Sequence, residues 1–119
     1  MSNNPFPVTW YRARITKVVD GDTVDAVIDC GFKATRTERL RLLGVDTCEL
    51  NSKIEAERIL ALSAKDFVYN WVNSNSEWPL LIRTYKTDSF GRYLADIKKG
   101  EISLSEELLK NGLAKKMKG

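Results

Sequence analysis

Leu40-Arg41-Leu42-Leu43-Gly44-Val45-Asp46-Thr47-Cys48-Glu49 brings an arginine and two carboxylates to the exit of an apolar stretch. Leu40 and Leu42 alternate with Arg41 and Leu43, the period of a strand with one face in a core, and Gly44 ends the alternation. Such a group builds either a solvated ion-pair cluster or a centre that holds a cation and a phosphate. Two other segments carry matching chemistry: Asp20-Gly21-Asp22, and Thr87-Asp88-Ser89-Phe90-Gly91-Arg92. If the first turn and the exit of the third strand share a rim, Asp22 and Asp46 can converge on one cation, with the Thr47 carbonyl as a third ligand. Two carboxylates, a carbonyl and water are hard oxygen donors and suit calcium. Its open positions would admit a phosphate oxygen for Lewis-acid activation. Glu49 then stands one side chain further out, placed to orient or deprotonate a water. Arg41 and Arg92 offer planar forks that pair with phosphate oxygens and stabilise charge as it builds in a transition state. Each segment also has a plain structural reading: an Asp-Gly-Asp turn, a hairpin exit at Gly91-Arg92, a small buried filler at Cys48.

Composition narrows the chemistry. The chain has 119 residues and no histidine. Ser-His-Asp hydrolysis, Cys-His proteolysis and histidine-based acid/base catalysis are therefore excluded. Its two cysteines, Cys30 and Cys48, cannot supply a four-ligand zinc site and are expected as free thiols. The formal net charge of +3, with Lys110, Lys115, Lys116 and Lys118 near the end, admits a nucleic-acid partner and equally a solvated tail. Met1 to Trp10 contains neither a basic leader region nor an apolar run. No signal peptide and no membrane partner are expected, and the location expected is cytoplasmic, compatible with a phage- or plasmid-borne gene.

The elements that would position these residues follow in order. Residues 1–8 read as a flexible arm and residues 9–117 as a single domain. Strands are expected over Trp10–Val19, with a bulge at Val18-Val19, over Thr23–Asp29, and over Lys33–Leu43. Gly21 is expected to supply a positive φ to the turn after the first. A loop from Gly44 to about Lys53 precedes a helix to about Val72, its core stripe led by Leu60, Ala64, Phe67 and Trp71 with Ala61, Val68 and Val72 beside them. Asn73–Glu77 reads as a polar exit, with Trp78 as packing. Strands over Pro79–Tyr85 and Arg92–Ile97 follow. Ser103 with Glu106 matches a capping box, and Gly112 stands where a left-handed helix terminus belongs. Residues 115–119 are expected to fray. This order, β-β-β-α-β-β-α, is that of a mainly β (α+β) fold, a five-stranded oligonucleotide-binding (OB-fold) barrel.

The motifs Asp20-Gly21-Asp22-Thr23-Val24, Arg41-Leu42-Leu43-Gly44-Val45-Asp46-Thr47-x-Glu49 and Thr87-Asp88-x-Phe90-Gly91-Arg92, followed by Asn111-Gly112-Leu113-Ala114, resemble the staphylococcal (micrococcal) nuclease family. The resemblance runs over about residues 14 to 115. It implies a staphylococcal-nuclease-like barrel, dependence on one calcium ion, and hydrolysis of DNA and RNA phosphodiesters, with single-stranded or frayed nucleic acid preferred. It assigns Asp22, Asp46 and the Thr47 carbonyl to calcium, Glu49 to the general base, and Arg41 and Arg92 to the phosphate, with Asp20 supporting the metal site. Cys48 departs from the family's common proline. Ser89 and Phe90 replace its lysine and tyrosine and leave only weak substrate contacts. The chain stops soon after Ala114, where the type member continues into a third helix, so a monomer or a weak dimer covering the exposed barrel is expected. The alternative function is a non-cleaving nucleic-acid- or protein-binding module of the same fold.

Overall fold

The computed structural model describes residues 9–73 and 80–117. Its long strands are β1 (Tyr11–Asp20), β2 (Thr23–Asp29), β3 (Thr35–Leu42), β5 (Leu80–Thr87) and β6 (Tyr93–Lys99). Two-residue strands β4 (Val45–Asp46), β7 (Ile102–Ser103) and β8 (Lys115–Lys116) and helices α1 (Glu55–Asn73) and α2 (Leu104–Lys110) complete the described elements. The three amino-terminal strands form an antiparallel meander, β5 joins β1, and β6 joins β5. A parallel pairing of Leu40–Leu42 with Tyr93–Ala95 closes the five long strands into a barrel. The expected arm at 1–8, the polar exit at 74–77, Trp78, Pro79 and Lys118 lie outside the described residues. Among the described residues no helix is long and apolar enough to cross a membrane.

Inward-facing residues alternate along each strand, as a closed barrel requires. Ala13, Val24, Ala26, Leu40, Ile82, Ala95 and Ile97 are fully buried. Burying each larger aliphatic side chain contributes roughly 1.5–3 kcal/mol. β1 is long enough to bend around the barrel because its pairing with β2 slips twice, between Ile15 and Lys17 and between Val18 and Asp20. The second slip falls at the bulge read from Val18-Val19.

α1 presents the expected face except at its start. Ala61, Ala64, Val68 and Trp71 are buried and Phe67 and Val72 pack against the core, while Leu60 remains 43% exposed. Ala64 stands where the turn at Gly21 lies against the helix. A Cβ added to Gly21 would stand 2.6 Å from Ala64 Cβ and 2.9 Å from Thr47 Cγ2. Gly21 is not among the positive-φ residues, so space rather than backbone conformation calls for glycine there.

α2 begins and ends as expected. The Ser103 side chain accepts from the Glu106 N–H, and Gly112 takes φ +70°. Leu113 N–H donates to the Leu108 carbonyl and Gly112 N–H to that of Leu109, a Schellman terminus. Leu113 and Ala114 pack on the core and bring the chain back past the site. The expectation of fraying at 115–119 is corrected for its first residues. Lys115 and Lys116 pair with Asp46 and Val45, and Met117 N–H donates to the Gly44 carbonyl. The ladder offered by Gly44–Asp46 outweighs the high solubility of the lysine side chains, which stay exposed.

Candidate active site

The turn between β1 and β2 and the exit of β3 meet. Leu42 N–H donates to the Asp22 carbonyl at 2.8 Å, and Thr47 N–H donates to Asp22 Oδ2 at 3.0 Å. Asp22 Oδ1 accepts from the Thr23 hydroxyl at 3.0 Å, and Asp22 N–H donates to Asp20 Oδ1 at 3.1 Å. Arg41 is buried although it alternates with core leucines, because β4 folds over it. Its Nη1 donates to the carbonyls of Leu42 (3.0 Å) and Val45 (2.7 Å). Its Nη2 lies 3.0 Å from Asp46 Oδ1 and 3.4 Å from Asp22 Oδ2. One guanidinium nitrogen therefore reaches both acids that sequence reasoning assigned to a cation.

Asp20 and Asp22 titrate apart. Burial, followed by the hydrogen bond and charge of Asp22, pushes the Asp20 carboxyl up to about 6. Burial acts upward on Asp22 as well, but the Asp20 hydrogen bond, the Thr47 N–H and Arg41 together hold it below the ordinary carboxylate range. Asp22 is thus the ionised member and Asp20 the one that retains a proton more readily.

Asp20, Asp22, Arg41, Asp46 and Thr47 are brought together by these bonds. Glu49 is exposed and shares with Asp46 and Thr47 a hollow of about 240 Å³, also bordered by Glu57, Leu60 and the returning chain from Gly112 to Lys115. Arg92 stands in the turn between β5 and β6, directly before Tyr93, whose partner on β3 is Leu40. Its Nε and Nη2 both bond Asp88 Oδ2 at 2.7 Å, and its guanidinium lies 5.2 Å from the centre of the Phe90 ring. Ser89 and Phe90 are exposed on that turn. Cys30 and Cys48 are free, as expected.

Sequence reasoning missed two contributors. Asp88 orients Arg92, and its position four residues earlier in a turn was the available signal. Thr23 supplies a hydroxyl to Asp22, and its place directly after the Asp-Gly-Asp turn was the corresponding clue.

The donor set bears on which cation could bind. Among the described residues no three His, Cys, Asp or Glu gather as a metal cluster. Two carboxylates converge on one positive nitrogen, with Asp22 buried and the Asp46 side chain 60% exposed. This fits a hard cation completed by a backbone carbonyl and water, and does not fit a zinc centre.

A family model described as staphylococcal nuclease homologue matches residues 39–118, which include Arg41, Asp46, Thr47, Glu49 and Arg92. A thermonuclease from Staphylococcus hyicus is 30% identical over 102 residues, covering 86% of this chain and 57% of the relative. The chain thus spans little more than half the length of that curated relative.

Proposed function

The chain belongs to the staphylococcal nuclease family, and on that premise we propose that it hydrolyses phosphodiester bonds of DNA or RNA with one calcium ion bound. The observation that carries this reading is the approach of Arg41 Nη2 to both Asp22 and Asp46, with Thr47 tied to Asp22. Two separated segments of chain supply that group, the β1–β2 turn and the exit of β3, and a barrel built only for stability has no need to gather them.

Asp22, Asp46 and the Thr47 carbonyl would hold the ion. When bound, calcium supplies Lewis-acid activation of the phosphate and a water of lowered pKa. Asp20, hydrogen-bonded to the Asp22 N–H, steadies the turn that aims Asp22. Glu49, in the open hollow beside Asp46, takes a proton from the attacking water. Arg41, whose Nη2 stands beside Asp22 and Asp46, would pair with a substrate phosphate at that position. Arg92, aimed by Asp88, supplies a second fork, and the two cations stabilise the charge of the transition state more than that of the ground state. Phe90 and Ser89 add only weak contacts. An unpaired strand reaches the exposed rim more readily than a duplex, so single-stranded or frayed nucleic acid is the favoured substrate.

Cleavage of heat-denatured DNA with calcium, with magnesium and with a chelator tests the proposal. Calcium-dependent cutting that Asp22→Asn abolishes, while circular dichroism shows the fold retained, is the expected result. Glu49→Gln should slow the chemical step by about a hundredfold or more with calcium affinity little changed. An unchanged rate would remove Glu49 from the mechanism. A folded chain that binds oligonucleotides and never cuts them would be a binding module of the same fold.

A further inference from the structure

Among the described residues the exposed Glu49 carboxylate has no hydrogen-bond or ion-pair partner, whereas Asp22 and Arg92 are each fixed by several. Where that carboxylate stands is therefore set by the backbone of its loop, and the loop is fastened at two places. At one, Thr47 N–H donates to Asp22 Oδ2 at 3.0 Å. At the other stands Ser52.

Ser52 uses every polar group it has. Its N–H donates to the Glu49 carbonyl at 3.2 Å and closes a turn over Glu49–Ser52. Its hydroxyl donates to Glu57 Oε1 at 2.6 Å and accepts from the Ile54 N–H at 3.1 Å. Its carbonyl accepts from Arg58 Nη1 at 2.7 Å. A serine that only began a helix would spend its hydroxyl on N–H groups of the first turn. Here the backbone N–H reaches back to Glu49, which shares a hollow with Asp46 and Thr47, while hydroxyl and carbonyl reach forward to side chains of α1. Bonds to a carboxylate and to a guanidinium are charge-assisted and stronger than neutral ones. The turn that carries Asp22 rests on the same helix, through Gly21 and Ala64. α1 therefore sets Asp22 from its middle and the Glu49 loop from its start.

We propose that Ser52 is a positioning residue for Glu49, locking the Glu49–Ser52 turn to the first turn of α1 so that the carboxylate meets the attacking water at one place. The proposal rests on the nuclease reading above, in which Glu49 takes the proton, and adds to it the group that sets where Glu49 stands. A general base works through its placement, and a shift of about 1 Å in a reacting group costs on the order of a hundredfold in rate.

The test measures kcat and KM on heat-denatured DNA with calcium for Ser52→Ala and Ser52→Thr, each in the parent and in the Glu49→Gln background. Amide hydrogen exchange is followed in the same proteins without calcium. Ser52→Ala should lower kcat about tenfold with KM nearly unchanged, and Ser52→Thr, which keeps the hydroxyl, should retain the parental rate. In the Glu49→Gln background Ser52→Ala should add no further loss, because no base remains to be placed. Exchange should quicken at the amides of residues 52 and 54 in Ser52→Ala and stay parental in Ser52→Thr. A parental kcat for Ser52→Ala, or a loss of the same size in the Glu49→Gln background, overturns the positioning role and leaves the nuclease reading standing. A parental rate for Glu49→Gln itself leaves Ser52 nothing to position and overturns the inference while the chain still cuts. Absence of cutting by the parent chain overturns the two together.

Discussion

At the scale of single residues, the site depends on acids that each hold a cationic partner. Asp22 answers to Arg41, Thr47 and Thr23 at once, so its ionised form is stabilised in spite of burial. Asp88 does the corresponding work for Arg92. Burial pushes its carboxyl up, but the N–H groups of Arg92 and Phe90 and the Arg92 side chain hold it below its ordinary value. A carboxyl lowered in the folded state contributes stability above its unfolded pKa and loses it as pH falls through the folded pKa. Asp88→Asn should therefore be less stable than the parent at neutral pH, with the gap closing as the solution is acidified through and below the ordinary carboxylate range. Urea unfolding across that range checks the sign, and a gap that widens with acid would show that Asp88 is not held in its charged form. The same substitution should reduce the cleavage rate, because Arg92 loses the partner that aims it.

At the scale of elements, the approach of α1 to the β1–β2 turn sets where the acids stand. Ala64 and Thr47 both lie against Gly21, so helix, turn and the loop bearing Asp46 and Thr47 touch at one point. Gly21→Ala places a methyl where no space exists. Since the obstructing atoms belong to a packed helix and to Thr47 itself, the helix or the loop must move, and overpacking of this kind costs typically 1–3 kcal/mol. Thermal unfolding should show that loss, and calorimetry should show weakened calcium binding as Thr47 is displaced from Asp22. A variant with parental stability and calcium affinity would mean that the contact is not tight. The small side chain at Ala64 has the same origin, because a larger residue there would hold the helix away from the turn.

At the scale of the whole molecule, barrel closure and the returning carboxy-terminal chain support the site from opposite sides. The parallel seam of β3 with β6 sets the strand that carries Arg41 beside the one that follows the Arg92 turn. The Schellman terminus of α2 turns the chain so that Lys115 and Lys116 lie against β4 and Met117 bonds Gly44. Val45, in β4, accepts from Arg41 and is fully buried. Deleting residues 115–119 should leave the barrel folded, since Lys115 and Lys116 bury no core surface, but should loosen Asp46 and weaken the calcium binding proposed above. Hydrogen exchange at the amides of 44–47 would report the loosening, and unchanged protection would mean that β4 holds without its partner strand.

Much of this was written locally. The Asp-Gly-Asp turn, the alternation of Leu40 and Leu42 and the Ser103 and Gly112 signals concern neighbours in the chain, and short-range geometry determines them. The sequence by itself determined the absence of histidine chemistry, the oxygen character of any metal site, and the identity of the acids and arginines. Only the tertiary structure decided that Leu60 stays outside the buried face of α1, that Gly21 is needed for space, that Lys115 and Lys116 pair rather than fray, and that Arg92 is held by Asp88. Each of those depends on atoms far apart in the chain, or on a choice among several acceptable local arrangements, which packing alone resolves. The ties of Ser52 to α1 also emerged only there, since Glu57 and Arg58 reach it from the helix that follows.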